Sequence, residues 1–242
     1  VCGIYRKTLD PGAHWQLMRP GTIRLYIMRT DSLDDPGEHE EWEAELPAGR
    51  WQKAVLPLRI EDRRNSAGAG WLLRYVFEKE GVPFVRDSVT LGPHGKPCHE
   101  ALHFNLSHSG SYVICAVGEG EIGCDIQKIR PCRESMVRRF FAPDEQEYIL
   151  SVQGKERDER FILLWSRKES FLKMTGEGLT REPGELSCLS GTGFYERRLE
   201  EYMICVCCSD AESIREREVS VEYVDAVQCL RMADNSREKY RR

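Results

Sequence analysis

Apolar residues recur with the period of a helix in several segments of the chain. The longest patterns cover residues 61–80 and about 160–175, and the first ends at the helix-breaking sequence Gly-Val-Pro. Shorter patterns begin near residue 134 and at Pro143, a residue that suits the first turn of a helix. We expect a helix in each of these segments.

Other segments carry the alternating or wholly apolar pattern of strands. Residues 111–117 and 121–127 are separated by a glycine-rich turn, which predicts a hairpin. In its second strand, alternation places Asp125 and Gln127 on one face and Ile122, Cys124 and Ile126 on the other. Further strands are predicted at residues 102–106, 186–190, 202–208 and 219–224, with a short one at the amino terminus.

The order of these elements predicts an α+β fold made of two similar halves, residues 1–118 and 119–242. We expect the acidic, turn-rich segment 31–49 to be a solvated loop or a short surface helix. The sequence Gly-x-Gly-x-x-Gly at residues 118–123 matches a dinucleotide-binding pattern, but that site needs a helix after the glycines and here a strand follows. These glycines are therefore interpreted as part of the hairpin turn.

Composition excludes several classes of function. A net charge of −5 argues against affinity for the phosphates of nucleic acid. No apolar run approaches the ~20 residues of a membrane-spanning helix, and the amino terminus lacks a secretory signal pattern, so we expect a cytoplasmic protein.

The ten cysteines are scattered through apolar segments and are expected to be reduced core residues. Cys205 and Cys208 form one isolated CxxC pair, so no zinc site is predicted.

The helix predicted near residue 165 carries charged residues in an unusual position. Lys168 falls on the same helical stripe as three apolar residues, and Glu169 and Lys173 flank that stripe four residues apart. An ordinary surface pair, with Lys168 extending its charge outward, explains the pattern equally well. Taken singly, Asp125, Glu145 and His108 also have structural explanations, respectively as a surface aspartate, a first-turn helix carboxylate and a turn histidine.

Considered together, the motifs suggest a family. GKP (95–97), FNLSHS (104–109), IGCDIQ (122–127), RRFFAPDE (138–145) and WSRKESFLK (165–173) occur in this order. Their order and spacing resemble those of the Sfp-type 4′-phosphopantetheinyl transferases over about residues 95–179. The resemblance implies a pseudo-twofold pair of α+β subdomains with coenzyme A bound in the cleft between them.

The resemblance also implies the reaction and its catalytic groups. A serine hydroxyl of an apo acyl or peptidyl carrier protein would attack the β-phosphate of coenzyme A and expel adenosine 3′,5′-bisphosphate. Glu169 would be the general base, and Lys168 and Lys173 would stabilise the phosphate charge. Asp125 and Glu145 would hold Mg²⁺, which prefers oxygen ligands. Gln127 stands where many relatives have glutamate, so we expect altered metal dependence there.

Coenzyme A contacts follow from the same resemblance. Gly95, Lys96 and Pro97 would lie along the adenine end, and Ser107 and His108 would reach the phosphates. Candidates for the 3′-phosphate are Arg50, Lys53 and Arg64, although Asn65 occupies a position where close relatives have arginine.

The carrier protein is the expected macromolecular partner, with neither nucleic acid nor membrane, and the chain is expected to be a monomer. Carrier proteins are typically acidic near the modified serine, so a cluster of arginines is a candidate docking surface, with a solvated helix face as the alternative. The arginines are Arg130, Arg133, Arg138 and Arg139.

The alternative function is that of a coenzyme A-binding paralogue with weakened catalysis. It is suggested by Gln127.

Overall fold

The computed structural model describes residues 23–178, 183–190, 193–209 and 219–232. The strand predicted at the amino terminus lies outside these residues. The strands, numbered in chain order, are β1 (Ile23–Arg29), β2 (Thr90–Leu91), β3 (Pro97–Cys98), β4 (His103–Ser109), β5 (Tyr112–Gly118), β6 (Ile122–Lys128), β7 (Phe194–Leu199), β8 (Tyr202–Cys208) and β9 (Val219–Val224). The helices are α1 (Arg50–Val55), α2 (Ile60–Lys79), α3 (Glu134–Phe140), α4 (Pro143–Leu150) and α5 (Gly154–Thr175), with short 3-10 turns at Pro36–Glu38, Glu40–Ala44, Pro93–Gly95 and Pro183–Glu185.

These elements form a mixed α+β fold around two main sheets. The first sheet has the strand order β4-β5-β1-β9, and the second has the order β6-β8-β7. Within the first sheet β1 is antiparallel to β5 and parallel to β9. The short strands β2 and β3 pair separately, just before β4.

The fold has four layers, in the order helix, sheet, sheet, helix. They form because side chains along each strand point alternately to the two faces of its sheet. In β1, Tyr26 and Met28 pack with the apolar face of α2, whereas Leu25 and Ile27 point to the opposite side of the sheet. There they meet residues of β6 and β8, so the two sheets share an apolar core. Helix α5 covers the outer face of the second sheet.

A row of side-chain hydrogen bonds joins the edges of the two sheets. Three side-chain oxygens on alternate residues of β4 accept hydrogen bonds from three backbone N–H groups of β6, at 2.9, 3.3 and 3.0 Å. We call this row the seam. It joins Asn105 to Cys124, Ser107 to Ile126 and Ser109 to Lys128.

Strand β9 crosses the predicted division of the chain. It comes late in the sequence but pairs with β1 in register from Ile23 opposite Val219 to Met28 opposite Val224. The predicted boundary after residue 118 lies between β5 and β6, and β9 returns from the later part of the chain to the first sheet. Within the first sheet, Val224 packs into the core beneath α2.

Most predicted elements are present with small shifts in their bounds. The strand predicted at 186–190 is wrong, because this segment is a loop and turn, and β7 was not predicted. The acidic segment 31–49 contains short 3-10 helices as expected, although Trp42 within it is buried. The nine described cysteines form no disulfide. Among the described residues, no helix is both long and apolar enough to cross a bilayer.

Candidate active site

Helix α5 lies very close to the second sheet at Gly123. A Cβ atom at this position would lie 2.0 Å from the carbonyl oxygen of Ser170 and 2.4 Å from the backbone nitrogen of Met174. Only a residue without a side chain allows the helix to lie this close to β6. Helix α5 then ends at Gly176, whose left-handed conformation (φ 72°) is typical of a glycine that follows a helix.

This approach brings Asp125 of β6 against Lys173 of α5. The Asp125 side chain is 1% exposed, and its Oδ1 atom accepts hydrogen bonds from Lys173 Nζ at 2.7 Å and from Ser107 Oγ at 2.9 Å. Its other oxygen, Oδ2, is buried without a hydrogen-bond partner among the described residues. A buried carboxylate oxygen without a partner is costly unless a ligand satisfies it.

Lys173 is held at the same point by several groups. Its Nζ atom also donates to Ser107 Oγ at 2.9 Å and to the carbonyl oxygen of Cys124 at 3.2 Å. Burial is the largest influence on its pKa and acts to lower it, but the negative charge of Asp125 and the other nearby groups outweigh burial and raise the pKa. Lys173 is therefore a fixed positive charge at neutral pH.

Glu169 lies one helical turn before Lys173 on α5. Burial raises the pKa of its carboxyl group, the charge of Asp125 raises it further, and Lys173 acts in the opposite direction. Glu169 lines the same cavity as Lys173, which contacts Asp125. A raised pKa suits a general base, because it increases the affinity of the carboxylate for a proton.

One cavity connects these side chains to the Gly95–Pro97 loop. It has a volume of about 240 Å³ and receives residues from both halves of the molecule. Lys96 spans the cavity edge, because its Nζ atom donates to Glu121 Oε2 at 2.6 Å and to the carbonyl oxygen of Met174 at 2.9 Å. The lining residues that matter here are Gly95, Lys96, Pro97, Asn105, Glu169 and Lys173.

Comparison of the sequence with known proteins identifies its family. The family described as the 4′-phosphopantetheinyl transferase superfamily matches residues 121–223. The chain is 44% identical over 167 residues to the 4′-phosphopantetheinyl transferase Sfp of Bacillus subtilis (strain 168), covering 65% of this chain and 72% of Sfp. It belongs to the 4′-phosphopantetheinyl transferase superfamily.

Other members of the superfamily show the same likeness. The transferase psf-1 of Bacillus pumilus is 30% identical over 165 residues, covering 65% of this chain and 71% of psf-1. The transferase AcpT of Salmonella typhimurium is 33% identical over 137 residues, covering 54% of this chain and 69% of AcpT. The phosphopantetheinyl transferase predicted from the sequence motifs is thereby confirmed.

Ser107 and His108, predicted to reach phosphates in this transferase, occupy different surroundings. Ser107 is 6% exposed, and its hydroxyl group already takes part in the bonds to Asp125, Lys173 and the seam. His108, by contrast, is exposed. Its pKa is lowered, first by partial desolvation and then by the positive charges of Lys173 and Arg50. His108 is thus the better placed of the two to meet an anion.

The residues predicted to hold the 3′-phosphate lie on α1 and α2. Arg50 begins α1, and its charge reaches His108. Lys53 is exposed on the same helix, and Arg64 has a buried Nε atom without a partner among the described residues. Asn65, where the resemblance led us to expect an arginine, has a structural role: it accepts from Thr30 Oγ1 at 2.7 Å and donates to the carbonyl oxygen of Gly110 at 2.7 Å.

The metal role predicted for Glu145 does not fit its surroundings. The side chain is 0% exposed, and both oxygens are already used. Oε1 accepts from the N–H of Cys188 at 2.8 Å, and Oε2 accepts from the N–H of Ala142 at 2.9 Å and from Lys168 Nζ at 2.7 Å. Glu145 is thus an interior anchor for α4, and it does not line the cavity beside Asp125.

The phosphate-binding role predicted for Lys168 needs the same correction. Its side chain is 2% exposed and lies under α4, with its Nζ atom bonded to Glu145 and to the carbonyl oxygen of Leu186 and lying 5.4 Å from the centre of the Phe141 ring. Lys168 is absent from the cavity lining that includes Lys173. Its position on an apolar stripe is therefore explained by a buried ion pair.

The oxygen atoms beside the cavity do fit a magnesium ion. Asp125 offers its unpartnered Oδ2, and Gln127 is on the same face of β6 as Asp125. Within the described ranges, no three histidine, cysteine or carboxylate side chains converge as a metal site. Asp125 and the Gln127 amide would therefore hold the ion together with water and substrate oxygens.

Proposed function

We propose that this transferase moves 4′-phosphopantetheine from coenzyme A to a serine of an apo carrier protein within the cavity that the Gly95–Pro97 loop and β4 form with α5. One observation carries the proposal. The Gly95–Pro97 loop, Glu169 and Lys173 line the same cavity, directly beside the buried carboxylate of Asp125. Residues from four of the five motifs therefore meet at one place, whereas Glu145 of the fifth lies in the interior.

Glu169 is the proposed general base. Its raised pKa makes it a better proton acceptor than an exposed glutamate, and its place on the cavity wall is open to an incoming hydroxyl group. Removing the proton of the carrier serine as its oxygen attacks the β-phosphate converts a weak nucleophile into a strong one. The proton remains on the Glu169 carboxyl group while adenosine 3′,5′-bisphosphate departs.

Asp125 and Gln127 are the proposed magnesium ligands from the protein, with water and substrate oxygens in the remaining positions. When bound, Mg²⁺ would offset the negative charge that develops on the phosphate oxygens. Lys173 adds a fixed positive charge on the same side of the cavity, because Asp125 and Ser107 hold its Nζ atom in place. The amide of Gln127 brings no negative charge, which supports weaker binding of the metal than a second carboxylate would give.

The adenine end of coenzyme A is proposed to lie along Gly95, Lys96 and Pro97. His108 and Arg50 are the proposed contacts for phosphate. His108 is exposed, and the positive charge of Arg50 is near enough to lower the pKa of His108. Lys53 and Arg64 remain candidates for the 3′-phosphate on the same side of the molecule.

The remaining features concern the whole molecule. A pseudo-twofold relation between the halves is supported by the matching layers, α2 on the first sheet and α5 on the second. The monomeric state and the cytoplasmic location stay predictions from the sequence.

A transfer assay tests the proposal directly. The protein is incubated with coenzyme A, Mg²⁺ and an apo acyl or peptidyl carrier protein, and the carrier is examined by mass spectrometry. We expect the carrier to gain the mass of one phosphopantetheine group at its serine, and a carrier with that serine changed to alanine to gain nothing. Consumption of coenzyme A without a carrier product would indicate hydrolysis instead, and binding without consumption would indicate a coenzyme A-binding protein.

A further inference from the structure

The two oxygens of Asp125 are in unequal surroundings. Oδ1 accepts hydrogen bonds from Lys173 Nζ at 2.7 Å and Ser107 Oγ at 2.9 Å, whereas Oδ2 is buried with no partner among the described residues. A carboxylate free to turn about its side-chain bonds would exchange the roles of its two oxygens. Something must therefore hold this one so that the same oxygen always faces the protein.

Ser107 is suited to that task because it comes from the other sheet and is itself immobilised. Its Oγ atom accepts from the N–H of Ile126 at 3.3 Å and from Lys173 Nζ at 2.9 Å. Because Ser107 Oγ accepts these two hydrogen bonds, its single proton is free to be donated to Asp125 Oδ1. Lys173 alone is a weaker guide, since its ammonium group shares its three protons among Asp125, Ser107 and the carbonyl oxygen of Cys124.

We infer that Ser107 is a positioning residue that reaches across the seam, fixes the carboxylate of Asp125 and leaves Oδ2 as the oxygen offered to the metal ion. This inference rests on the proposed function and refines it. It also gives Ser107 a role different from the phosphate contact predicted from the sequence. The seam thus does more than join the sheets, because one of its three side chains also sets the geometry of the metal site.

Ser109 provides a matched control. It lies two residues further along β4 and accepts from the N–H of Lys128 at 3.0 Å, so it has the same place in the seam. No contact joins its hydroxyl group to Asp125 or Lys173 within the described part of the chain. A Ser109→Ala change removes a seam bond and leaves the carboxylate untouched.

The experiment measures Mg²⁺ affinity of the full chain by calorimetry in the presence of adenosine 3′,5′-bisphosphate, alongside the free energy of unfolding. We expect Ser107→Ala to weaken Mg²⁺ binding by roughly 10- to 100-fold, as is typical when a group that orients a metal ligand is removed. Ser109→Ala should bind Mg²⁺ like the unmodified protein. Ser107→Cys keeps the volume of the side chain but is a poor donor, so it should show the same loss as Ser107→Ala even if the alanine variant does not fold.

Two results would overturn the inference. Equal Mg²⁺ affinities for Ser107→Cys and Ser109→Ala would mean that Ser107 serves only the seam. Failure of the unmodified protein to bind Mg²⁺ would remove the metal site altogether. Transfer to a carrier protein by the unmodified chain, measured in parallel, separates failure of this inference from failure of the proposed function.

Discussion

Glu145 and Lys168 form an ion pair with 2.7 Å between Oε2 and Nζ, and their side chains are 0% and 2% exposed. The pair fastens the beginning of α4 to the middle of α5, immediately next to Glu169. Burying two charges is favourable only when each is well satisfied, and here backbone groups of Ala142 and Cys188 complete the shell of the carboxylate.

Replacing Lys168 with methionine should therefore destabilise the protein strongly. The change leaves the buried Glu145 carboxylate without its counter-charge, which costs about 3–5 kcal/mol in the free energy of unfolding. Urea denaturation measures this loss. The control is Arg138→Met, which breaks the exposed pair with Glu134 and should cost less than about 1 kcal/mol. A stable Lys168→Met variant that binds coenzyme A poorly would instead return Lys168 to phosphate binding.

Glu169→Gln tests the general base. Glutamine keeps the size of the side chain but cannot accept the serine proton, so kcat should fall roughly 10²- to 10⁴-fold. Coenzyme A affinity should change little. Glu156→Gln is the control, since Glu156 lies in the first turn of the same helix and pairs with Arg160 at the surface. Turnover of the Glu169→Gln variant near the normal rate would remove Glu169 from this role.

The pH profile of turnover gives a further test of the same residue. A base works only when ionised, so the rate should fall as the pH falls through the pKa of Glu169. Because burial and the charge of Asp125 raise that pKa, the acidic limb of kcat should lie above the ordinary glutamate value of 4.5. The residual activity of Glu169→Gln should lack this limb, and an unchanged limb in that variant would assign it to another group.

Gly123→Ala tests the contact between β6 and α5. The new methyl group would lie 2.0 Å from a backbone oxygen, so the helix must move away from the strand. Overpacking of this kind costs about 1–3 kcal/mol, and the displacement of Glu169 and Lys173 should also reduce kcat. Gly120→Ala serves as the control, because its methyl group would meet only the Ser209 hydroxyl at 3.2 Å. Similar melting temperatures for the two variants would contradict this account.

Arg138 and Arg139 test the proposed docking surface. Both are exposed at the end of α3, where Arg138 pairs with Glu134 and Arg139 lies over the Phe140 ring. Changing both to glutamate should raise the KM for an acidic carrier protein much more than the KM for coenzyme A. The control is Arg231→Glu, an exposed arginine next to residues packed beneath α2. Equal increases in the two KM values would exclude docking at this surface.

The sequence predicted the fold best where burial alone decides the pattern. Helix α2 and strands β5 and β6 were found within a residue or two, because their apolar positions match the layers they enter. Strand β7 was missed, since its charged residues reflect an edge position with one exposed face. The loop at 186–190 was mistaken for a strand because its apolar residues are interspersed with serines. Cys188 is buried there, but its N–H bonds to a carboxylate and not to a neighbouring strand.

The site shows the same limit at the level of single side chains. Helical spacing correctly separates Lys168 from the face that carries Glu169 and Lys173, but it does not reveal which partner each face meets. The partner of Lys168 is Glu145, which lies on another helix, and neither the helical spacing nor the family resemblance indicated this pairing. The alternate polar residues Asn105, Ser107 and Ser109 were a readable signal of the seam, because period-two polar positions mark one face of a strand.

The parallel pairing of β1 with β9 affects how the protein folds. Almost the whole described chain lies between these two strands, so the first sheet cannot be completed until the last of its strands has been synthesised. Contacts between such distant residues slow folding, because a long loop must close before the pairing stabilises it. During synthesis on the ribosome, β1 would wait with one edge unpaired, and chaperone protection of that edge would matter most in this interval.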